Sequence, residues 1–173
     1  MTITEIIYPA LFYGLIISVL FTVVILLTFR WNPEIWVHDA PPKIRERYGP
    51  VGAKAKRDSQ IAGIPTFLVL GLVLVYAILD LYRRAGGEAG YWAIFFTLFV
   101  AMQTFNVIDL LVIDWLFVAT IKHKALMIPG TENWEGYADY GFYFTGFLKG
   151  FVGITVVSLV FAGVAVLIGR LVG

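Results

Sequence analysis

The sequence predicts an all-α polytopic membrane protein: a four-transmembrane-helix bundle with cytoplasmic interfacial segments. Three observations carry this. Uncharged apolar blocks recur at about the 20-residue length that crosses a bilayer as a helix. Of the 173 residues, 60% are hydrophobic and only 14% charged, with mean hydropathy +0.83, whereas a soluble domain carries roughly 25% charged residues. A soluble chain of this size could not bury so much apolar surface, because small domains leave much of their surface wet. The length suits a single domain, 1–173.

The first span is expected over 6–29, which holds no charge, with Pro9 in its first turns where proline is tolerated. This start does not read as a cleaved signal peptide. It has Glu5 where a basic region belongs, and its apolar stretch is far longer than a signal core. The second span is expected over 61–79, with Pro65 near its start, the third over 91–121 and the fourth over 150–169. No internal repeat relates the two halves.

Charge sets the expected orientation. The segment 30–60 contains Arg30, Lys43, Arg45, Arg47, Lys54, Lys56 and Arg57, and the segment 122–149 contains Lys122, Lys124 and Lys149. Ten of the thirteen basic residues thus fall on one side, which the positive-inside rule makes cytoplasmic. Both termini are then extracytoplasmic, and the expected location is the prokaryotic inner (cell) membrane. Trp31, Trp36, Tyr82, Tyr91 and Trp92 fall where an interfacial aromatic belt belongs. Lys43, Arg45, Arg47, Lys54, Lys56 and Arg57 are expected to contact anionic lipid headgroups. With a net charge of +1, the whole-chain balance gives no nucleic-acid signal.

Within 30–60, Asp39-Ala40-Pro41-Pro42 reads as a helix start, a short helix is expected over 43–48, and Gly49-Pro50 ends it. Within 122–149, Pro129-Gly130-Thr131-Glu132 is a turn. The aromatic residues that follow, from Trp134 to Phe147, alternate with Gly136, Gly141 and Gly146 and do not resemble a solvated linker. An interfacial or partly re-entrant segment capping the cytoplasmic end suits them.

The clearest functional hint lies in the third span. At 100° per residue, Gln103, Asn106, Asp109 and Asp114 fall within an arc of roughly 140°. Counted back from Lys122, Asp109 lies about 20 Å along the axis and Asp114 about 12 Å. A carboxylate at such depth costs at least about 2.5–3.5 kcal/mol, so it must face inward, find a partner or bind a proton. The bland alternative is inter-helix glue, which suits Gln103 and Asn106 best. For Asp109 and Asp114 a proton, ion or substrate role weighs equally.

The absence of cysteine removes disulfides, thiolate metal sites and cysteine nucleophiles. His38 and His123 are the only histidines, both expected near the cytoplasmic interface. Together with Asp39, Glu132 and Asp139 they form the interface candidates for acid–base chemistry. No spacing demands a metal among them and no H-E-x-x-H motif occurs, so neither a metal nor another cofactor is expected. Gly14-x-x-x-Ser18, Gly146-x-x-x-Gly150 and Ser158-x-x-x-Ala162 permit close helix approach, within the chain or in a homodimer.

Three functions remain open at this stage. The first is a small transporter, channel or ligand-binding protein centred on the stripe. Its thin four-helix wall predicts a dimer or larger complex. The second is a membrane-embedded enzyme acting on a lipid or polyprenyl substrate at the cytoplasmic leaflet. The third is a non-catalytic scaffold subunit docking through its aromatic segment.

At Ile108-Asp109, Ile113-Asp114-Trp115, Ile128-Pro129-Gly130-Thr131-Glu132, Gly136-Tyr137-Ala138-Asp139-Tyr140-Gly141-Phe142 and Gly146-Phe147-Leu148 the chain resembles a family of small uncharacterised prokaryotic integral membrane proteins. The stretch from His38-Asp39 to Ile44 shares the resemblance. It implies weight for the aspartates and the aromatic segment, and no particular activity, fold or cofactor.

Overall fold

The computed structural model describes residues 1–132 and 134–172. All regular structure among them is helical. Four helices are long and apolar enough to cross a membrane. They are α1 (Ile3–Trp31), α3 (Ala53–Arg84), α4 (Tyr91–Ile108, continued as a π-helix over Asp109–Thr120) and α5 (Tyr140–Val172). The fifth helix, α2 (Pro42–Tyr48), is short and lies between α1 and α3.

The centre of the bundle is α4. Helices α1, α3 and α5 all pack against it, α1 most extensively. Small residues set those approaches. A Cβ added at Gly14 of α1 would lie 2.5 Å from Thr104 Cβ and 2.6 Å from the Ala101 carbonyl oxygen of α4. One added at Gly150 of α5 would lie 2.7 Å from Asn106 Oδ1. The glycines of two of the small-residue motifs are therefore used within the chain. By contrast, α3 leaves Ile61, Ile64, Phe67, Leu68 and Leu72 exposed and buries little beyond Ala55, Asp58, Ala77 and Leu81.

Two helices start earlier than hydropathy alone suggests. Nothing between Gly52 and Pro65 breaks a helix, so α3 extends outward through Lys54, Lys56 and Arg57, and Pro65 lies in its interior. Likewise most of the aromatic stretch is helical. After one 3₁₀ turn, Glu135–Tyr137, it forms the first turns of α5. The reason is local: Asp139 Oδ1 accepts the Phe142 N–H at 3.0 Å and caps the helix. Gly141 and Gly146 each cost a helix only about 1 kcal/mol, less than the packing of the neighbouring rings returns.

The two interhelical segments dock on each other as a cap over one end of the bundle. A 3₁₀ turn, Pro33–Asp39, leads into α2, which ends at Gly49 with φ +90°. Val37 and Ile44 meet Leu126, Ile128 and Tyr137 of the second segment, over Ile25 of α1 and Ile113 of α4. Arg47 lies over the Trp134 ring at 4.8 Å, a cation–π contact. Polar bonds fix the arrangement. Trp36 Nε1 donates to Thr28 Oγ1 at 3.0 Å. Tyr48 donates to Glu34 at 2.6 Å, and burial with that carboxylate pushes its phenol up to about 12. The Tyr137 hydroxyl accepts the Ile128 N–H at 3.1 Å and pairs with Thr131 Oγ1 at 2.7 Å.

A further buried bond joins the end of α1 to the start of α3. Asn32 Nδ2 donates to Asp58 Oδ2 at 2.8 Å, with the two residues 8% and 2% exposed. Replacing Asp58 strands a buried amide, which costs about 1–3 kcal/mol. Asp58→Ala is therefore expected to lower the unfolding free energy in detergent by that amount, and Asp58→Asn by less. A thermal midpoint unchanged in Asp58→Ala would show that the clamp contributes nothing.

Candidate functional site: an acid-lined cavity under the cap

The site begins with a change of helix type. From Asp109 onward the hydrogen bonds of α4 run from residue i to i+5. At its end the Ile121 N–H donates to the Leu116 carbonyl at 2.8 Å, and Thr120 Oγ1 donates to Trp115 O at 2.7 Å. The run stops at Lys122, whose φ of +53° is left-handed. In an α-helix, side chains five positions apart point about 140° away from each other. The wider π turn rotates them toward one side. Asp109 and Asp114 consequently line the same cavity, rather than the two edges of the arc that α-helical spacing predicts. The π form also rises less per residue, so both acids lie nearer the capped end than α-helical counting places them.

The cavity measures about 460 Å³ and fills the space between α1 and α5, with α4 as its floor and the cap as its roof. Its polar groups are Asp109, Asp114 and Asn106 from α4, His38 and Asp39 from the cap, and the phenols of Tyr137 and Tyr143. Phe21, Phe29, Trp36, Phe142 and Phe147 supply aromatic wall. No lysine or arginine lines it. The three carboxyls lie within electrostatic reach of one another. Surrounding protein pushes the Asp39 carboxyl up, while the charges of His38 and Arg45 hold it back in part. Tyr143 is 6% exposed, and its hydroxyl makes no hydrogen bond to the protein.

The predicted stripe divides into two. Gln103 Nε2 donates to Phe151 O at 3.1 Å, and Asn106 Nδ2 donates to Gln103 Oε1 and to Phe147 O, each at 3.2 Å. These amides tie α4 to the backbone of α5. Gln103 stays outside the cavity and Asn106 touches its edge.

The interface candidates divide as well. His38 and Asp39 enter the cavity wall. His123 Nδ1 accepts the Ala125 N–H at 3.3 Å and its ring packs on Phe117. Glu132 accepts the Gly130 N–H at 2.8 Å, closing its turn, and Asp139 caps α5. These three serve local backbone and do not line the cavity. Among the described residues no group of three or more His, Asp or Glu side chains is placed to hold a metal ion. Lys43, Arg45, Arg47, Lys54, Lys56 and Arg57 are all exposed, on α2 and the first turns of α3.

Sequence reasoning missed Tyr143 as a site residue. The signal was present: Tyr143, Gly146, Phe147 and Gly150 repeat at helical spacing, which puts them on one face. Against known protein families, curated proteins and solved structures, the chain finds no match.

The amide pair separates packing from chemistry. Gln103→Leu removes bonds worth about 0.5–1.5 kcal/mol each. It is expected to lower stability by about 1–2 kcal/mol in a double-mutant cycle with Asn106→Leu, the two substitutions being strongly non-additive. Additive losses would mean that the amides act separately.

Proposed function

We propose that the chain is an integral membrane protein acting as a small proton-linked carrier, with the acid-lined cavity as its charge-binding site. In this reading α1, α3, α4 and α5 cross the bilayer. The basic residues around the cap place that end in the cytoplasm by the positive-inside rule, leaving both termini outside. Lys43, Arg45, Arg47, Lys54, Lys56 and Arg57 then sit at headgroup level, suited to anionic lipid. The exposed apolar side chains of α3 meet acyl chains or a second copy.

One observation carries the reading: three carboxyls, Asp39, Asp109 and Asp114, converge on a cavity that no lysine or arginine lines. Asp39 is exposed at the rim while Asp109 and Asp114 are half-buried, and two carboxyls side by side in such a place do not both stay ionised without a compensating positive charge. His38 and Arg45 offset Asp39 only in part; the remaining charge is met by protons or by a cationic solute, and exchange between the two is what proton-linked transport requires. Asp39 belongs to the cap and Asp109 to the interior of α4, so the acids form a path from the capped end inward.

The alternatives draw less support from the same geometry. An enzyme handling a phosphorylated lipid needs cations at the phosphate, and the basic residues here lie outside the cavity. A docking scaffold would use the aromatic segment as anchors; Tyr137 and Tyr143 are buried in the cap and against α4, which leaves Tyr140 and Phe144 as its exposed rings.

The test is flux. Purified protein in liposomes should carry protons down an imposed gradient, followed with an internal pH dye, and Asp109→Asn and Asp114→Asn should each reduce the rate at least about tenfold. Equal rates for wild type and Asp109→Asn would overturn the assignment.

A further inference from the structure

We propose that the solute taken by this cavity is a small primary ammonium ion, a protonated amine carrying a short apolar group. The inference rests on the carrier reading for its direction of movement, but its chemistry comes from four features of the wall.

Size is the first. A cavity of about 460 Å³ falls within the roughly 300–1,000 Å³ range of small-molecule sites. A bare proton or a single dehydrated metal ion would leave most of it empty. Charge is the second. Asp39, Asp109 and Asp114 face no lysine or arginine across the cavity, and His38 is the only basic side chain lining it. An anionic solute would add to an existing excess of negative charge, and a neutral one would leave that charge to be met by protons alone.

The third feature is the aromatic wall. Phe21 and Phe29 on α1, Trp36 in the cap and Phe147 on α5 bring rings to the cavity from three directions. Aromatic faces attract cations, most strongly where water is excluded, and they also accept the apolar part of an amphiphilic ion. The fourth is Tyr143. Its hydroxyl is buried and unpartnered, its ring belongs to the cavity wall, and it lies within electrostatic reach of Asp114. A buried hydroxyl without a partner is destabilising. A ligand N–H donating to that oxygen would satisfy it as an acceptor and offset part of that cost. The three carboxyls add acceptors for the remaining ammonium hydrogens. A primary ammonium ion has three such hydrogens, whereas a quaternary one has none. The wall therefore favours the primary form.

Binding and flux can be measured separately. The purified protein in detergent is titrated calorimetrically with methylammonium, butylammonium and benzylammonium, each matched with the alcohol of the same carbon skeleton. At least one ammonium ion should bind saturably and at least tenfold more tightly than its alcohol. Asp114→Asn should weaken that binding tenfold or more. Tyr143→Phe keeps the ring and removes only the unpartnered hydroxyl, so it should fold as wild type, raise the thermal midpoint of the empty protein and weaken binding about threefold to tenfold. Absence of any ammonium preference across the three pairs, in protein whose proton flux still depends on Asp109, would overturn the amine and spare the carrier. An ammonium preference unaffected by both Asp114→Asn and Tyr143→Phe would place the binding elsewhere and overturn it as well.

Discussion

Where the two acids of α4 point is decided by a backbone choice, the i→i+5 ladder of Asp109–Thr120. With α-helical bonding to Thr120, Asp109 and Asp114 would diverge by about 140°, and one of them would turn toward the outer surface of the bundle. The π form is intrinsically poor and usually confined to single turns at functional sites. Its persistence over 12 residues needs compensation. Some comes from the fit of Leu110, Ile113 and Ala119 against α1, the cap and α5. The ladder also creates width, so α1 and α5, both seated on α4, leave between them the space that becomes the cavity.

The cap follows from the same geometry. A cleft between two helices would be open at the end of the bundle. The interhelical segments close it with an apolar layer of their own, Val37, Ile44, Leu126 and Ile128, held by the Asn32–Asp58 and Tyr137–Thr131 bonds. Closing the cleft lowers its dielectric, and that strengthens every interaction within it. The carboxyls would be ordinary solvated acids on an open surface. The cap leaves Asp109 and Asp114 half-buried, with Asp39 exposed at its rim. Asp39 is delivered to them by the cap itself, so the roof contributes to the charge it encloses.

Much of the architecture was legible in the chain because it depends on composition over long windows. The four apolar runs, the charge asymmetry and the stretch of Gln103, Asn106, Asp109 and Asp114 are each visible without coordinates. Helix ends were less legible. Hydropathy marks where apolar residues stop, not where hydrogen bonding stops, so the polar first turns of α3 and the aromatic first turns of α5 were assigned to interfacial segments outside the spans. The grouping of site residues was partly legible: His38 and Asp39 were singled out, as were Asp109 and Asp114, but as separate clusters. Joining them requires the π turn and the fold of the cap, neither of which follows from residue spacing. His123, Glu132 and Asp139 had the right chemistry for a site, yet short-range backbone capping claims them, which is the common fate of such residues in turns.

The division of the α4 stripe shows how one row of polar side chains can serve two ends. Gln103 and Asn106 are amides, whose donors and acceptors can be satisfied by each other and by the carbonyls of Phe147 and Phe151. Once satisfied they have nothing left to offer a solute, and their place is where α4 and α5 approach closely, across from Gly150. The aspartates begin where the helix widens. An ionised carboxyl offers only acceptors, so two of them cannot satisfy each other as an amide pair can, and the nearby Asp39 makes the shortage of donors worse. The same helix face is thus saturated at its middle and left wanting donors at its capped end, and the unpartnered hydroxyl of Tyr143 sits beside the part that is left wanting.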